Sequence, residues 1–419
     1  MRQLPWSEDV AATVAELRAF APPPAAVRSA VTEIVEDVRA CGDAAVRAHS
    51  LRLDGVDLPA RYREPPARLR ERLAALAPGL RAALELAAAN IRAYHLGEAA
   101  APWRETLAQG QVVGQEIVPL AVAGLYVPGG LADYPSSVLM TAIPAQVAGV
   151  GRVVVCSPPR QGGGAAGGVA AACALLGVDD LYPIGGAQAV AAMAFGTEQV
   201  PRCDVIVGPG NAYVTEAKRQ VVGEVAIDAL AGPSEVLIIA DAGGEPAWLA
   251  ADLLAQAEHG SGAMACLADI GGTLVAPVAA AVDELAEELG IATGNVALIA
   301  CPDRESAVRL SNAFAPEHLE LHCADAAALV AKIRNAGAVF VGPHAATAFA
   351  DYAAGSNHVL PTGGSARFSQ GLSVSAFQKR VAVVELGAGA AAALAVAVAT
   401  IAEEEGLRAH ARSARLRGG

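Results

Sequence analysis

The chain has 419 residues, of which 54% are hydrophobic and 17% charged; this excludes a peptide, a disulfide-stapled miniprotein and global disorder, and allows two or three domains with real cores. Aromatics are only 4%, so those cores must be built from Ala, Val and Leu. The formal net charge of −13 excludes a globally basic surface for nucleic acid or anionic lipid.

The N-terminal MRQLPWSEDVAATVAELRAF carries acidic residues where a signal peptide needs an apolar core, which points to a cytoplasmic protein. Residues 1–117 read as a mainly helical region. AAVRSAVTEIVEDVRACGDAAVRAHS and ARLRERLAALAPGLRAALELAAANIRAYH both place apolar residues at three-and-four spacing with charges between. At about residue 118 the texture changes. VPLAVAGLYVP, RVVVCSPP, DLYPIGG and DVIVGPGN are short apolar runs ending in Gly or Pro, separated by helical stretches. Strands alternating with helices predict a parallel sheet with crossover helices over 118–233. A second alternating run, from SEVLIIAD to ALVAKIRNAGAVFVGP, predicts another such module over 234–365. The expected fold class is therefore α/β: two Rossmann-like parallel-sheet modules, a helical N-terminal region and a small C-terminal helical tail over 366–419. The repeat lies in element order, not in residues. Beyond residue 355 the chain is turn-rich, GSNHVLPTGGSARFSQGLS. The uncharged run Leu386–Ala402 is dominated by Ala and Gly and is short for a membrane span, so a packed helix is expected and no membrane association. The basic tail EEEGLRAHARSARLRGG either is disordered or docks on a partner chain.

The cysteines Cys41, Cys156, Cys173, Cys203, Cys266, Cys301 and Cys323 are scattered and form no CxxC. That excludes thiolate zinc modules, argues for a reducing compartment, and leaves no cysteine beside a cluster that lowers its pKa. The surroundings of His49, His95 and His322 suggest nothing beyond surface or core histidines. Gln256 and His259 stand three apart in LLAQAEHG, so both reach one face at a helix end. They can share an ion, or His259 can simply favour the helix dipole. Asp351 and His358 flank a Gly-containing turn, which suits a metal or a polar substrate as well as a solvated loop. Glu317 and His318 follow Pro316, as in the first turn of a helix or a break between two; adjacent groups of different intrinsic pKa suit repeated proton transfers. Three Gly-rich turns, YVPGG at 126–130, IGGAQA at 184–189 and VGPGNAYVTEAK at 207–218, place backbone amides where diphosphate or carboxylate binds. None is a clean G-x-G-x-x-G, and no acidic ribose partner is identifiable. No G-x-S-x-G, Walker A or kinase motif is present.

Together YVPGG, PSSVLMTAIPAQVAGV, IGGAQAVAAMAFGT, VGPGNAYVTEAKRQVVG, IDALAGPSEVLIIAD, LLAQAEHG, APEHLEL, DYAAGSNHVLPTGG, GLSVSAFQKR and EGLRAHAR closely resemble the histidinol dehydrogenase family, in family order from about residue 120 to the C-terminus. The resemblance implies an NAD-dependent, zinc-dependent oxidation of L-histidinol to L-histidine through histidinaldehyde, the last step of histidine biosynthesis. It implies one Zn2+ per subunit on Gln256, His259, Asp351 and His410, the last from the neighbouring subunit of a homodimer with shared active sites. It places the acid/base pair on Glu317 and His318, substrate contacts on Ser234, His358 and Glu405 beside the metal ligands, and NAD contacts on Tyr126, Gln188 and Asn211. NAD then belongs to module 118–233, the metal and the acid/base pair to 234–365, and the dimer crossing to 366–419. Departures fall in HGSGAMACLAD after His259 and in GPHAATAFADY before Asp351, and they replace no named ligand. The alternative is a paralogous zinc and NAD dehydrogenase acting on another small polar alcohol, such as a sulfonated diol; Ser234, His358 and Glu405 favour histidinol. A noncatalytic zinc- or nucleotide-binding protein is disfavoured because no site residue is missing.

Overall fold

The computed structural model describes residues 1–19, 27–129, 132–260 and 262–419. The segment expected to be mainly helical contains β1 (Arg2–Leu4), α1 (Val10–Arg18), α2 (Arg28–Cys41), α3 (Asp43–Asp54), α4 (Pro66–Ala74), α5 (Pro78–Leu96), β2 (Trp103–Thr106) and β3 (Val112–Pro119). It therefore carries three strands as well as helices. The first long helical reading, whose residues 25 and 26 lie outside the described residues, breaks at Gly42. That residue adopts φ 51° and ψ −131°, a conformation only glycine takes without strain. The second breaks before Pro78, which opens α5 at its first position.

The Gly- and Pro-terminated runs become β4 (Val122–Tyr126), β5 (Arg152–Cys156), β6 (Asp180–Tyr182), β7 (Val205–Val207) and β8 (Ala226–Ile227). Between them lie α6 (Pro135–Ala148), α7 (Gly167–Leu175), α8 (Gly186–Phe195) and α9 (Ala212–Val221). All five strands are parallel, in the order β6-β5-β4-β7-β8. The second run gives β9 (Glu235–Ala240), α10 (Pro246–Ala257), β10 (Met264–Ile270), α11 (Val275–Leu289), β11 (Val296–Cys301), α12 (Arg304–Phe314), β12 (His318–His322), α13 (Ala326–Val330), β13 (Ala338–Val341) and α14 (Thr347–Tyr352). Its sheet is also parallel, ordered β1-β11-β10-β9-β12-β13. Apart from β1, the two sheets share one strand order: in chain sequence, third, second, first, fourth, fifth. This is the doubly wound arrangement, with a switch point beside the first strand.

Helices cover both faces of each sheet, so the strands are apolar without alternation; all six residues of β9 are buried. On the first sheet, α5, α6 and α7 bury Ile91, Leu139, Ile143 and Val169 on one face, while α2, α8 and α9 bury Ile34, Met193 and Val214 on the other. On the second, Leu17 of α1 joins Phe314 and Leu310 on one face, and Leu253 and Val282 fill the other. The N-terminal helices thus serve both modules.

A third sheet was not legible in the sequence. β14 (Gln378–Glu385) pairs antiparallel with β3, which pairs with β2. Beyond it, α15 (Ala388–Glu404) and α16 (Arg408–Gly418) form a hairpin whose small core is Ala399, Ala402 and Ala411. The Leu386–Ala402 run is a helix as expected, yet it leaves Val396 77% and Ile401 60% exposed. Among the described residues, no helix is long and apolar enough to cross a membrane.

Candidate functional site

The first group of residues meets at the amino-terminal edge of the second sheet, where β9 and β12 lie side by side. Glu317 precedes β12 and Ser234 precedes β9. Glu317 Oε2 accepts the Ser234 hydroxyl at 2.6 Å and the Glu235 amide at 2.9 Å. His318 Nδ1 lies 3.0 Å from the Glu235 carbonyl, which can only accept, so Nδ1 carries a proton and Nε2 is left free. That Nε2 is buried without a hydrogen-bond partner, 3.6 Å from Asp351 Oδ1. The His318 ring stacks on Phe340 with centroids 6.0 Å apart. His358 Nδ1 donates to the Asp351 carbonyl at 3.0 Å.

The helix start expected at Glu317–His318 is not formed. Ala315 turns left-handed at φ 51° and ends α12, and His318 opens a strand paired to β9 and β13. Strand pairing on both sides outweighs any local helical preference of PEHLEL. Asp351, expected on a loop, sits in the last turn of the short α14.

The charges of this group are coupled. Burial pushes the Glu317 carboxyl up, against the pull of His318 and the Ser234 hydroxyl. Burial opposes charge on His318, but Glu317 and Asp351 outweigh it and raise the imidazole to about 9. Asp351 loses by burial and gains more from His318, His358 and His259, which hold it below the usual carboxylate range. His358 is depressed, chiefly by burial. A buried acid beside a buried base, with a second carboxylate on the far side of the imidazole, can accept and release protons repeatedly.

His259 joins the group from the end of α10. It is exposed, its Nδ1 lies 3.1 Å from the Ala255 carbonyl, and its charge is felt at Asp351. Gln256, one turn earlier, is buried, and its Nε2 has no partner. The orphaned Gln256 amide, on the same helix end as His259, fits a divalent cation, because half a turn of the side chain presents oxygen instead of nitrogen. One amide oxygen, one carboxylate and imidazole nitrogen form a donor set suited to zinc. Glu405 and His410 stand apart. They lie at the tip of the α15–α16 hairpin, both exposed, and the side chain of neither hydrogen-bonds or ion-pairs with this group.

A second group of residues lies at the carboxyl ends of the first sheet. The Tyr126 hydroxyl accepts the Gly186 amide at 3.1 Å, joining the end of β4 to the start of α8. Gln188 is wholly buried; its Nε2 donates to Asp54 Oδ2 at 3.2 Å and its Oε1 has no partner. Asn211 caps α9 by accepting the Tyr213 and Val214 amides. Gly208 has φ 112°, and a Cβ there would collide with the Tyr126 carbonyl oxygen, so the two turns can approach only at a glycine. Its peptide is clamped on both sides: Asp228 Oδ2 accepts its N–H, and the buried Lys218 ammonium donates to its carbonyl. Gly130 of YVPGG lies outside the described residues, as does Ser261 of HGSGAMACLAD.

Helix starts are capped unevenly in both modules. In the second, Asp269 takes the Leu274 and Val275 amides and Asp303 takes Ser306, while α10 starts without a side-chain cap. In the first, Asp133 occupies the α7 amides Gly168 and Val169, Asn211 caps α9, the Tyr126 hydroxyl takes the first amide of α8, and α6 starts without a side-chain cap. The uncapped start of α6 follows β4, the first strand, at the switch point, where backbone amides can receive a diphosphate.

Several site neighbours carried no sequence signal. Glu235 lies beside Glu317, paired to Arg18 at 2.7 Å. His322, read as uninformative, holds Glu320 Oε2 at 3.1 Å, while Glu320 Oε1 caps α14 through the Thr347 amide and hydroxyl, both 2.7 Å away. Asp252 completes a mixed group with these two. The alternation in HLELH, which puts residues 318, 320 and 322 on one side of a strand, was the available clue. The seven cysteines are all free; burial pushes Cys173, Cys203 and Cys301 up to about 12, which disfavours a thiolate nucleophile.

The histidinol dehydrogenase family model matches residues 22–418. A histidinol dehydrogenase of Pseudomonas fluorescens (strain Pf0-1) is 46% identical over 400 residues, covering 93% of this chain and 90% of that protein. One from Rhizobium meliloti (strain 1021) is 47% identical over 399 residues, covering 93% and 92%. The crystal structure of histidinol dehydrogenase from Elizabethkingia anophelis superposes with a TM-score of 0.94 at 32% identity, covering 100% of this chain and 98% of that one.

Proposed function

The chain belongs to the histidinol dehydrogenase family, and we propose that it oxidises L-histidinol to L-histidine through L-histidinaldehyde with two NAD, in the cytoplasm, as the last step of histidine biosynthesis. The observation that carries this reading is the meeting of Glu317, His318, Asp351 and His358 at one sheet edge, with His259 within electrostatic reach. The sulfonated-diol alternative is not favoured, given 46% and 47% identity to histidinol dehydrogenases over nearly the whole chain.

Gln256, His259 and Asp351, with the partner subunit's His410, would hold one Zn2+ per subunit, supplying a Lewis acid and template for the substrate's imidazole and amino group, while NAD accepts the two hydrides. In each oxidation the protein's part is proton handling. His318 Nε2, the nitrogen without a partner, takes the hydroxyl proton. Glu317, 3.5 Å from Nδ1, stabilises the imidazolium that forms. As a ligand of that cation, Asp351 would lend less charge to the imidazolium, leaving His318 able to act as a base. At the aldehyde stage Glu317, raised by burial, takes a proton from water as the carbonyl is hydrated. Ser234 holds the Glu317 carboxylate in place, and His358 and the partner's Glu405 meet the polar ends of the substrate.

The exposed apolar residues Val396, Ile401 and Leu416 of the C-terminal hairpin support a dimer in which the tail docks on the other subunit. A cavity of about 700 Å³, lined among others by Phe340, Ala350 and Asn357, adjoins β13, α14 and the turn before His358, and would receive it. Tyr126, Gln188 and Asn211, at the carboxyl ends of β4, β6 and β7, would contact NAD in the first module. The test is stoichiometric: zinc-loaded protein should form two reduced nicotinamides per L-histidinol and none after chelation. An intact, metal-loaded protein that forms none refutes the reading.

A further inference from the structure

In a doubly wound dinucleotide module, an acidic side chain at the end of the second strand holds the adenosine ribose. That strand here is β5, and it runs out into Ser157-Pro158-Pro159-Arg160. No carboxylate stands in that turn. The nearest acidic residue after the first turn, Asp133, is already committed to the Gly168 and Val169 amides.

Another carboxylate lies against the turn after β6. Asp54 is the last residue of α3, before Gly55, whose left-handed φ of 67° ends the helix. Its Oδ2 accepts the Gln188 side chain at 3.2 Å, while its Oδ1 makes no hydrogen bond among the described residues. Gln188 lies wholly buried in the first turn of α8, at the end of β6. The Tyr126 hydroxyl binds that same turn through Gly186. Gly129 and Gly185 both border Pro158, so the turns after β4, β5 and β6 converge there. This is the adenosine side of the switch point; the nicotinamide side lies toward β7. Gln188 Nε2 holds Asp54 while its Oε1 stays without a partner, and the exposed Asp54 is the half of the pair open to solvent.

We propose that Asp54, brought from the N-terminal helices, takes the place of the missing acidic residue of β5, accepts the 2′-hydroxyl of the adenosine ribose, and selects NAD over its 2′-phosphorylated form. The inference rests on the reading that NAD lies at the carboxyl ends of the first sheet. A free carboxylate oxygen suits a hydroxyl donor; against a phosphate it sets like charge on like charge and acceptor on acceptor.

Direct binding of NADH and NADPH to the zinc-loaded protein, followed by nicotinamide fluorescence, tests it without turnover. Wild type should hold NADPH at least about 100-fold more weakly than NADH. Asp54→Asn and, as a second variant, Asp54→Ser should lose about tenfold in NADH affinity and narrow the NADH/NADPH ratio by about tenfold or more, the scale of one charge-assisted hydrogen bond. Zinc content and circular dichroism should stay at wild-type values. Ser136→Trp, which sets a bulky ring in the uncapped first turn of α6, separates the two levels. If it abolishes NADH binding while both Asp54 variants bind and discriminate as wild type does, the Asp54 assignment falls. If it leaves NADH binding intact, or wild type binds no NADH, the reading of the NAD site falls with it.

Discussion

Replacing Lys218 with Met tests how the dinucleotide turn is held. The Lys218 ammonium and the Asp228 carboxylate form an ion pair with side chains 2% and 6% exposed. Lys218 also donates to the Gly208 carbonyl at 2.8 Å, and Asp228 accepts the Gly208 and Ala229 amides. Methionine keeps the stem of the side chain and removes only the charge, so packing changes little. What remains is a buried carboxylate without its cation and a Gly208 carbonyl without its donor. Removing one partner of such a pair costs about 3–5 kcal/mol. Lys218→Met/Asp228→Asn, in which neither buried group is charged, should recover roughly half of that, since the amide oxygen can still accept one of the two amides. Urea unfolding of wild type and the single and double variants measures the cost and the coupling. NADH affinity should fall about tenfold in the single variant, because the turn that carries Asn211 loses one side of its clamp. A single variant within about 1 kcal/mol of wild type, with the double variant no better, would refute the reasoning.

The remaining predictions concern the second module and the tail. Glu317→Gln should slow the aldehyde-to-acid step by about 10²–10⁴-fold and spare the first oxidation more, read by single turnovers started from histidinol and from histidinaldehyde; equal loss in both steps contradicts the water-activating role. His410→Asn should lower zinc content, and a mixed dimer with His259→Asn should regain about one working site; a proven heterodimer with no activity argues that His410 serves its own chain. Glu235 is raised from 4.5 to about 7, chiefly by burial. Across that window the folded state holds more protons than the unfolded one, so this residue's contribution to stability declines as pH rises from about 4.5 to about 7. Urea midpoints at several pH values should show that decline in wild type and a flatter profile in Glu235→Gln; parallel profiles would count against it.

Much of this molecule was legible because the signals were local. A run such as EVLIIAD closed by a turn is buried on both faces wherever it lies, so both parallel sheets followed from periodicity and punctuation alone. Breaks inside long helical patterns were less legible. Gly42 ends one helix and starts another while its neighbours keep the same spacing, and Pro78 does the same between α4 and α5. The third sheet escaped because β14 shows no alternation of burial; most of its residues are exposed and only its pairing to β3 defines it. Glu317 and His318 were identified through the family resemblance of APEHLEL, but their conformation was misread, since a strand edge and a helix start look alike over three residues.

The order of residues along the chain determined which segments are strands, which are helices, and which family the protein belongs to, because those depend on neighbours within a few positions. Only the tertiary structure decided which strands lie side by side, that β1 completes the second sheet at its far edge, and that Asp54 meets Gln188 across 134 positions of chain. Such meetings depend on how whole faces pack and on which buried polar groups find partners, and no short window of sequence contains both members of the pair.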